Sequence, residues 1–151
     1  MILVGYSHGL RPSEVVAITA DAIRDLYIAV HRLKGSMATV QPLIADANPL
    51  LDERTGLLEY ARKFDGNQKL FPVTRRQFGR IFERCCTVSG IPRHLAHPHI
   101  LKHTIAMQTI HSAGIENVRQ YLGHKSISST GAYLKVSDAE AAAAIAKGLA
   151  V

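Results

Sequence analysis

Cysteine is scarce in this sequence, and its only two cysteines are the neighbours Cys85 and Cys86. Adjacent cysteines rarely reach the geometry of a disulfide bond, so no disulfide is expected. A chain without disulfides fits a reducing compartment, and we expect the protein in the cytoplasm. Because Cys85 continues the apolar positions Phe78, Ile81 and Phe82 at helical spacing, it is predicted to be a core residue.

Long apolar runs and sorting signals are also missing. No stretch of about 18 uncharged apolar residues occurs, so no transmembrane span is predicted. The start, MILVGYSHGLRPSE, lacks the basic segment and the cleavage site of a secretory signal. It resembles the middle of a helix, and we expect the chain to begin inside a domain. The 151 residues are enough for one domain with its own hydrophobic core.

Acidic residues are nearly missing from one block of the chain. The net charge is +6, from 18 lysines and arginines against 12 acids. Between residues 75 and 103 the only acid is Glu83, and the cations there are Arg75, Arg76, Arg80, Arg84, Arg93 and Lys102. Such a block favours a phosphate-bearing partner, but it also fits an ordinary solvated helix face. The candidate residues for binding nucleic acid are Arg75, Arg76 and Arg80.

The apolar pattern and the turn residues predict a mainly helical chain. A first helix should end at Gly9, and a short helix capped by Ser13 should follow. Thr74 begins a capping box that opens another helix. An alanine-rich helix is expected over residues 137–149. A further helix should begin at Asn48 and Pro49 and bury Leu50, Leu51, Leu57, Leu58, Ala61 and Phe64.

A small antiparallel sheet is predicted between the first helices. Residues 26–31 are rich in tyrosine, isoleucine and valine and should form a strand, and residues 37–40 should form a shorter one. Ile23 is a candidate for a third strand. The turn between the two main strands places Lys34 at the tip of a hairpin, next to Gly35. The fold class that follows is α+β, mainly helical.

Polar side chains of several types surround the helix predicted over residues 98–114. Three of them share one face of that helix: His99, Lys102 and His103. A short helical segment then ends at Gly123, directly before His124, and Tyr133 lies nine residues further on. Histidines, a cation and a tyrosine from separate elements indicate phosphate chemistry.

These residues, in their order along the chain, resemble the tyrosine recombinases, the phage integrase family. The matching features are Arg11 in GLRPSE, Lys34 on a hairpin, His99-x-x-Lys102, and QYLGHKSISSTGAYLKV with His124 and Tyr133. An ordered set of this kind is far more specific than any one motif. The resemblance implies an integrase-like catalytic core with a small antiparallel β-sheet. Residues 1–136 would form the catalytic domain, and 137–151 a C-terminal tail that docks on a neighbouring subunit.

The resemblance implies a clamp for a phosphodiester, without metal, ATP or another cofactor. Attack on a phosphodiester builds negative charge on its non-bridging oxygens, and cations held there stabilise the transition state. Arg11 offers a planar fork that matches two phosphate oxygens. Lys102 and His124 would complete this clamp.

The same resemblance implies that Tyr133 is the nucleophile and forms a covalent 3′-phosphotyrosine. A tyrosine hydroxyl has a pKa of about 10 and needs a base, and His99, which titrates near neutrality, is expected to take its proton. Lys34 would protonate the leaving 5′ oxygen. Since the phosphotyrosine keeps the phosphodiester energy, a 5′ hydroxyl of another strand can then rejoin the DNA.

Two features depart from the family pattern. The family has arginine where this chain has Lys102, and because lysine keeps the charge but loses the fork, we expect reduced rather than absent activity. The family's N-terminal DNA-binding domains are missing, so weak and poorly specific DNA binding is expected. By resemblance, His103 is expected to be either a buried histidine or one that supports the site without touching the substrate, and it is not assigned a catalytic role.

Two other functions stay open at this point. A catalytically weak relative that only binds DNA fits Lys102, and a metal-dependent nuclease fits a cluster of histidines. Their spacing matches no zinc pattern well, and no acid lies among them; they are His94, His97, His99 and His103. The family implies double-stranded DNA as partner, a tetramer on DNA and a monomer without it. Neither a metal nor a membrane is expected, and the expected location is the cytoplasm, at the nucleoid.

Overall fold

A computed structural model describes residues 1–33, 36–131 and 133, with isolated positions at 139, 142, 145 and 146. The described elements follow one another as helices around a small sheet, which confirms the predicted class. The helices are α1 (Ile2–Ser7), α2 (Pro12–Val15), α3 (Glu53–Ala61), α4 (Arg75–Val88), α5 (His99–Ala113), α6 (Ile115–Tyr121) and α7 (Ser128–Gly131). The strands are β1 (Ile23–Arg24), β2 (Tyr27–Val30) and β3 (Thr39–Pro42).

The sheet is antiparallel in the order β1-β2-β3, as the hairpin pattern predicts. β2 pairs with β3 from Tyr27 opposite Pro42 to Val30 opposite Thr39. Side chains alternate along a strand, so Ile28 and Val30 point into the core while their neighbours face outward. β3 begins two residues later than the predicted 37–40.

Two hydrophobic clusters meet along α5. The larger cluster joins α1, α2, the sheet, α4 and Leu101 in the first turn of α5. The smaller cluster lies towards the C-terminal end of α5 and includes Ala106, Ile110, Val118, Leu122 and Tyr133. α5 therefore connects both cores, and the polar face between them carries the candidate site.

The helix predicted from Asn48 and Pro49 does not begin there. The side chain of Asn48 accepts a hydrogen bond from the N–H of Leu50, and its carbonyl accepts one from Leu51, so residues 48–51 form a turn. α3 begins at Glu53, where the Asp52 side chain accepts from the Thr55 N–H. Leu50 is 85% exposed, because it precedes the helix instead of lying on its buried side.

The buried face of α4 is narrower than predicted. The capping box of Thr74 and Gln77 is present, and Phe78 and Phe82 are buried. The third buried residue is Cys86, while Cys85 and Ile81 are exposed. The buried residues of α4 are four positions apart, at 78, 82 and 86. The prediction that Cys85 is a core residue is therefore wrong.

No helix within the described part of the chain is both long and apolar enough to cross a membrane. The predicted alanine-rich helix over residues 137–149 falls largely outside the described residues. The division into a catalytic domain at 1–136 and a tail at 137–151 therefore stays a prediction.

Candidate active site

Arg11 sits between two short helices that fix its backbone. Gly9 adopts φ +57° directly after α1, where a Cβ would collide with Leu122, and the next residue, Leu10, is fully buried. Arg11 is the N-cap of α2, which begins at Pro12. The expected cap Ser13 instead lies inside the helix, because proline suits the first helical position and sets the start earlier.

The buried carboxylate of Glu14 holds Arg11 in place. It accepts from the Arg11 backbone N–H at 2.8 Å, from its guanidinium at 3.0 Å and from the Leu33 N–H at 3.1 Å. Burial by itself raises the pKa of Glu14, but the backbone N–H donors of Arg11 and Leu33, together with the charges of Arg32 and Lys102, outweigh it, so the pKa is lowered. Glu14 is therefore ionised, and it orients Arg11 while leaving part of the guanidinium exposed.

Arg11 also contacts the loop that carries Lys34. Its Nη1 donates to the Leu33 carbonyl at 3.3 Å and to Ser36 Oγ at 3.2 Å. Among the described residues, the guanidinium bonds of Arg11 all use Nη1, so its Nε and Nη2 edge is available to an anion. Lys34 itself lies outside the described residues, and its role stays a prediction.

Lys102 is a buried cation, with 6% of its surface exposed. Its Nζ donates to the Leu122 carbonyl at 2.9 Å. Burial, and then the charges of Arg32 and Arg11, lower its pKa from 10.5 to about 7. Both the charged and the neutral form of Lys102 are therefore populated at neutral pH.

The lowered pKa of Lys102 predicts how the free energy of unfolding depends on pH. The unfolded chain keeps Lys102 protonated up to its ordinary pKa of 10.5, whereas the folded protein releases the proton at about 7. Between these values the unfolded state binds more protons, so the free energy of unfolding rises with pH, by at most about 1.4 kcal/mol per unit. Below about pH 7 Lys102 is protonated in both the folded and the unfolded state. The destabilisation caused by its buried charge is then fully present and does not change with pH.

Chemical unfolding of two variants checks the sign. Lys102→Met should remove most of the rise in unfolding free energy between about pH 7 and about pH 10. Lys125→Met, a matched change at an exposed lysine, should leave it in place. An unchanged rise in Lys102→Met would show that another group causes it.

His124 follows a turn that requires glycine. Gly123 has φ +67°, and its carbonyl accepts from the N–H of Met37 at 3.0 Å. His124 is 7% exposed, and its Nδ1 is 2.9 Å from the hydroxyl of the buried Thr130. Burial, followed by the charges of Lys102 and Arg11, lowers the pKa of His124 to about 4. At neutral pH this ring is neutral and acts as a hydrogen-bond donor or acceptor, not as a cation.

Gly123→Ala should destabilise the fold by about 2–4 kcal/mol, because it adds both backbone strain and a clash. A Cβ at this position would lie 2.6 Å from the Met37 carbonyl oxygen. Gly90→Ala is the matched control, since Gly90 has φ +69° but open space around a Cβ. It should cost only about 1–2 kcal/mol in thermal or urea unfolding. Equal losses for both would mean that the turn before His124 is not tightly packed.

Tyr133 packs inside the smaller cluster and is 8% exposed. Burial raises its pKa, and the charge of Arg11 works in the opposite direction. The ring of His103 meets it edge-on, with centroids 5.5 Å apart. His103 is exposed, so of the two expected placements the buried one does not apply. It lies on the outer side of α5, where its ring covers the tyrosine.

His99 is exposed at the start of α5. Burial on one side, then His97, His103 and Arg11, lower its pKa. His99 is therefore neutral at neutral pH, which suits a proton acceptor. The electrostatic influence of Arg11 also reaches Lys102, His124 and Tyr133, so the structure brings these predicted site residues around one arginine.

The candidate residues for binding nucleic acid lie on the outside of α4. Arg75, Arg76 and Arg80 are all exposed, as predicted. Arg75 is near enough to His99 to help lower its pKa. The basic face of α4 therefore begins beside the site, although its role stays a prediction.

Sequence reasoning missed Arg32. It directly follows the strand predicted over residues 26–31, yet its side chain is completely buried. Ile28, Val30 and Arg32 form an alternating series of inward positions that continues past the end of β2. That alternation is the signal that would have found it.

The histidines do not form a metal centre in the described part of the chain. No group of three or more histidine, cysteine, aspartate or glutamate side chains there could hold a metal ion.

Comparison with known protein families identifies the family of this chain. The model of the phage integrase family matches residues 1–140. The chain belongs to the phage integrase family. The match includes every residue of the candidate site, from Arg11 to Tyr133.

Bacterial members of this family are similar in sequence. The chain is 31% identical over 150 residues to the tyrosine recombinase XerD of Bradyrhizobium diazoefficiens, covering 90% of this chain and 47% of that protein. It is 32% identical over 145 residues to the tyrosine recombinase XerC of Rickettsia bellii, covering 91% and 46%. The chain therefore spans about half the length of these relatives.

Solved structures of a recombinase and a transposon integrase share the fold. A crystal structure of XerA recombinase gives a TM-score of 0.70 at 19% identity, covering 96% of this chain and 55% of that one. The Tn1549 transposon integrase in complex with circular intermediate DNA gives 0.75 at 18% identity, covering 99% and 58%. The fold expected from the sequence is thereby confirmed.

Proposed function

We propose that this chain is the catalytic part of a site-specific DNA recombinase that cleaves and rejoins double-stranded DNA through Tyr133. The observation that carries this proposal is that four predicted site residues lie close enough to Arg11 for its charge to influence their pKa values. They are His99, Lys102, His124 and Tyr133. A clamp of this kind beside a tyrosine suits a phosphodiester. The related structure of the Tn1549 transposon integrase is a complex with DNA, which supports the same substrate.

The clamp acts on the charge that develops at phosphorus. Arg11 presents the edge of its guanidinium that Glu14 leaves unoccupied, and it binds two non-bridging oxygens. The ammonium of Lys102 adds a second charge. The neutral ring of His124 donates through Nε2–H when Thr130 donates to Nδ1. All three donors are held before the substrate arrives, so little reorganisation is needed during reaction.

The chemical step forms one phosphorus–oxygen bond, breaks another and moves two protons. The Tyr133 oxygen attacks phosphorus and gives its proton to His99, and the bond from phosphorus to the 5′ oxygen breaks. Lys34 protonates that oxygen. The products are a 3′-phosphotyrosine and a free 5′ hydroxyl, and the reverse sequence with another 5′ hydroxyl rejoins the strand. Charge is supplied by side chains, so neither metal nor ATP takes part.

DNA binding and assembly extend beyond the clamp. The exposed arginines of α4, Arg75, Arg76 and Arg80, would follow the backbone phosphates. Because the chain spans about half of its relatives, we expect weak DNA binding by this part alone. We expect a monomer without DNA and a tetramer on paired sites, in the cytoplasm at the nucleoid.

The tail at 137–151 is proposed to dock on a neighbouring subunit. A cleft of about 360 Å³ opens between α1, α5 and α6. Its lining is mainly apolar and includes Tyr6, Ile105 and Val118. The small apolar side chains of an alanine-rich helix suit an apolar cleft of this kind.

A nicked suicide substrate tests the proposal. Its cleaved 5′ fragment diffuses away, so a covalent protein–DNA product accumulates instead of being rejoined. Random-sequence duplexes with a single nick, at high protein concentration and in EDTA, serve when the natural site is unknown. A covalent band in EDTA supports the proposal. Binding without any covalent band would leave a DNA-binding module, and cleavage abolished by EDTA would indicate a metal-dependent nuclease.

A further inference from the structure

Arg32 connects the two turns that carry the clamp. Its Nη1 donates to the Gly9 carbonyl at 2.8 Å, and its Nη2 donates to the carbonyls of His8 and Tyr121, each at 2.9 Å. His8 and Gly9 directly precede the turn of Arg11, and Tyr121 ends α6 just before the turn of His124. One guanidinium therefore links two turns that are far apart in sequence.

The end of α6 is held by two cations. The last carbonyls of a helix lack partners within the helix, and positive charge is favourable there. Arg32 donates to the Tyr121 carbonyl, and Lys102 donates to the next one, Leu122, at 2.9 Å. A Cβ on Gly123 would lie 3.0 Å from Arg32 Cγ, so the turn also packs directly on the arginine side chain.

The charges in this cluster do not balance. Arg11, Arg32 and Lys102 surround a single buried carboxylate, Glu14, which lies 3.5 Å from Arg32 Nη1. Unpaired buried charge is costly, so the cluster favours either loss of a proton from the lysine or arrival of an anion. A phosphodiester supplies that anion.

We propose that Arg32 is the positioning residue of the phosphate clamp: it fixes the turns of Arg11 and His124 relative to each other, and its charge disfavours the Lys102 ammonium until a phosphate arrives. The catalytic part of this inference rests on the proposed recombinase function. The charge coupling between Arg32 and Lys102 does not, because it exists in the free protein.

The coupling has a direction. Burial is the main reason why the pKa of Lys102 falls to about 7, Arg32 is the next cause, and Arg11 adds to it. Glu14 acts in the opposite direction. His124, which faces the lysine from the end of α6, is neutral near pH 7 and adds no charge. Removing the charge of Arg32 should therefore raise the pKa of Lys102, and bound DNA should do the same.

Two variants separate position from charge. Arg32→Gln removes the charge and most donors, while Arg32→Lys keeps the charge and loses the fork. Arg24→Gln, an exposed arginine in the same sheet, is the control. The first measurement is an NMR titration of the Lys102 side chain without DNA, and the second is the rate of covalent product formation with nicked DNA across pH. Thermal unfolding of each variant shows how much protein is folded.

We expect the pKa of Lys102 to rise by about one unit or more in Arg32→Gln and to stay unchanged in Arg32→Lys. Both variants should form covalent product about 10- to 100-fold more slowly at equal folded fraction, because the clamp loses its alignment. The part of the pH–rate profile where the rate changes because Lys102 loses its proton should move to higher pH in Arg32→Gln alone. If Arg32→Gln does not fold, the rate of Arg32→Lys still tests positioning, and a changed Lys102 titration in Arg32→Lys would count against the charge coupling.

Different results would overturn different claims. An unchanged Lys102 titration in folded Arg32→Gln would refute the charge coupling. Wild-type rates in Arg32→Lys, or losses that only follow the folded fraction, would refute positioning. Absence of covalent product in the wild-type protein would instead count against the recombinase function, and the titration would still decide the coupling.

Discussion

Replacing Tyr133 by phenylalanine is expected to abolish covalent attachment to DNA, with a loss of at least about 1,000-fold in rate. The change removes only the attacking oxygen. The ring stays in the cluster with Ala106, Ile110 and Leu122, and its edge contact with His103 is kept. Stability and noncovalent DNA binding should therefore change little. Single-turnover formation of covalent product on nicked DNA measures the loss.

Tyr121→Phe is the matched control for this result. The Tyr121 hydroxyl donates to the Ser7 carbonyl at 2.8 Å, and burial raises its pKa to about 12, so it is a half-buried tyrosine close to the site. Its loss should cost about 1 kcal/mol of stability while covalent product still forms. A persistent covalent product in Tyr133→Phe would show that another residue is the nucleophile.

Arg11→Gln should lower the rate of covalent product formation by about 100- to 1,000-fold at saturating DNA, as expected for loss of a transition-state donor. The variant should still fold, because Glu14 keeps the backbone donors of residue 11 and Leu33 and lies beside Arg32. Arg11→Lys restores a charge without the fork and should recover only part of the rate.

Rates and DNA affinity must be measured separately for these variants. Arg62→Gln, an exposed arginine at the end of α3, controls for the loss of one positive charge. It should weaken DNA binding slightly at low salt and leave the saturated rate unchanged. If Arg11→Gln reacts at the wild-type rate once DNA is saturating, Arg11 binds the substrate but does not stabilise the transition state.

The sequence predicted best where a single residue dictates the backbone. Gly9, Gly114 and Gly123 all have positive φ, and each ends a helix where it was expected to. Pro98 lies within one residue of the helix start predicted for it: it is the N-cap, and α5 begins at His99. The order of Arg11, Lys102, His124 and Tyr133 identified the family because those residue types serve one chemistry. Their roles stay predictions until variants are measured.

The sequence predicted least where packing between distant elements decides. Whether Cys85 or Cys86 is buried depends on which side of α4 docks, and helical spacing fits both. The resemblance leaves open whether His103 is buried or only supports the site; it is exposed, and its ring meets Tyr133 edge-on. The burial of Arg32 depends on carbonyls that the fold brings to it from the turn after α1 and from the end of α6, and the carbonyl of Tyr121 lies 89 residues away in sequence.

The most direct test of the central claim is to identify the residue that becomes attached to DNA. Protein is incubated with nicked DNA in EDTA, the DNA is trimmed by nuclease, and the tryptic peptides are sequenced by mass spectrometry. Cleavage after Lys125 and Lys135 releases residues 126–135, which contain Tyr133 as their only tyrosine. The account predicts a nucleotide adduct on Tyr133 within this peptide. An adduct on any other residue, or none under conditions where DNA is bound, would contradict it.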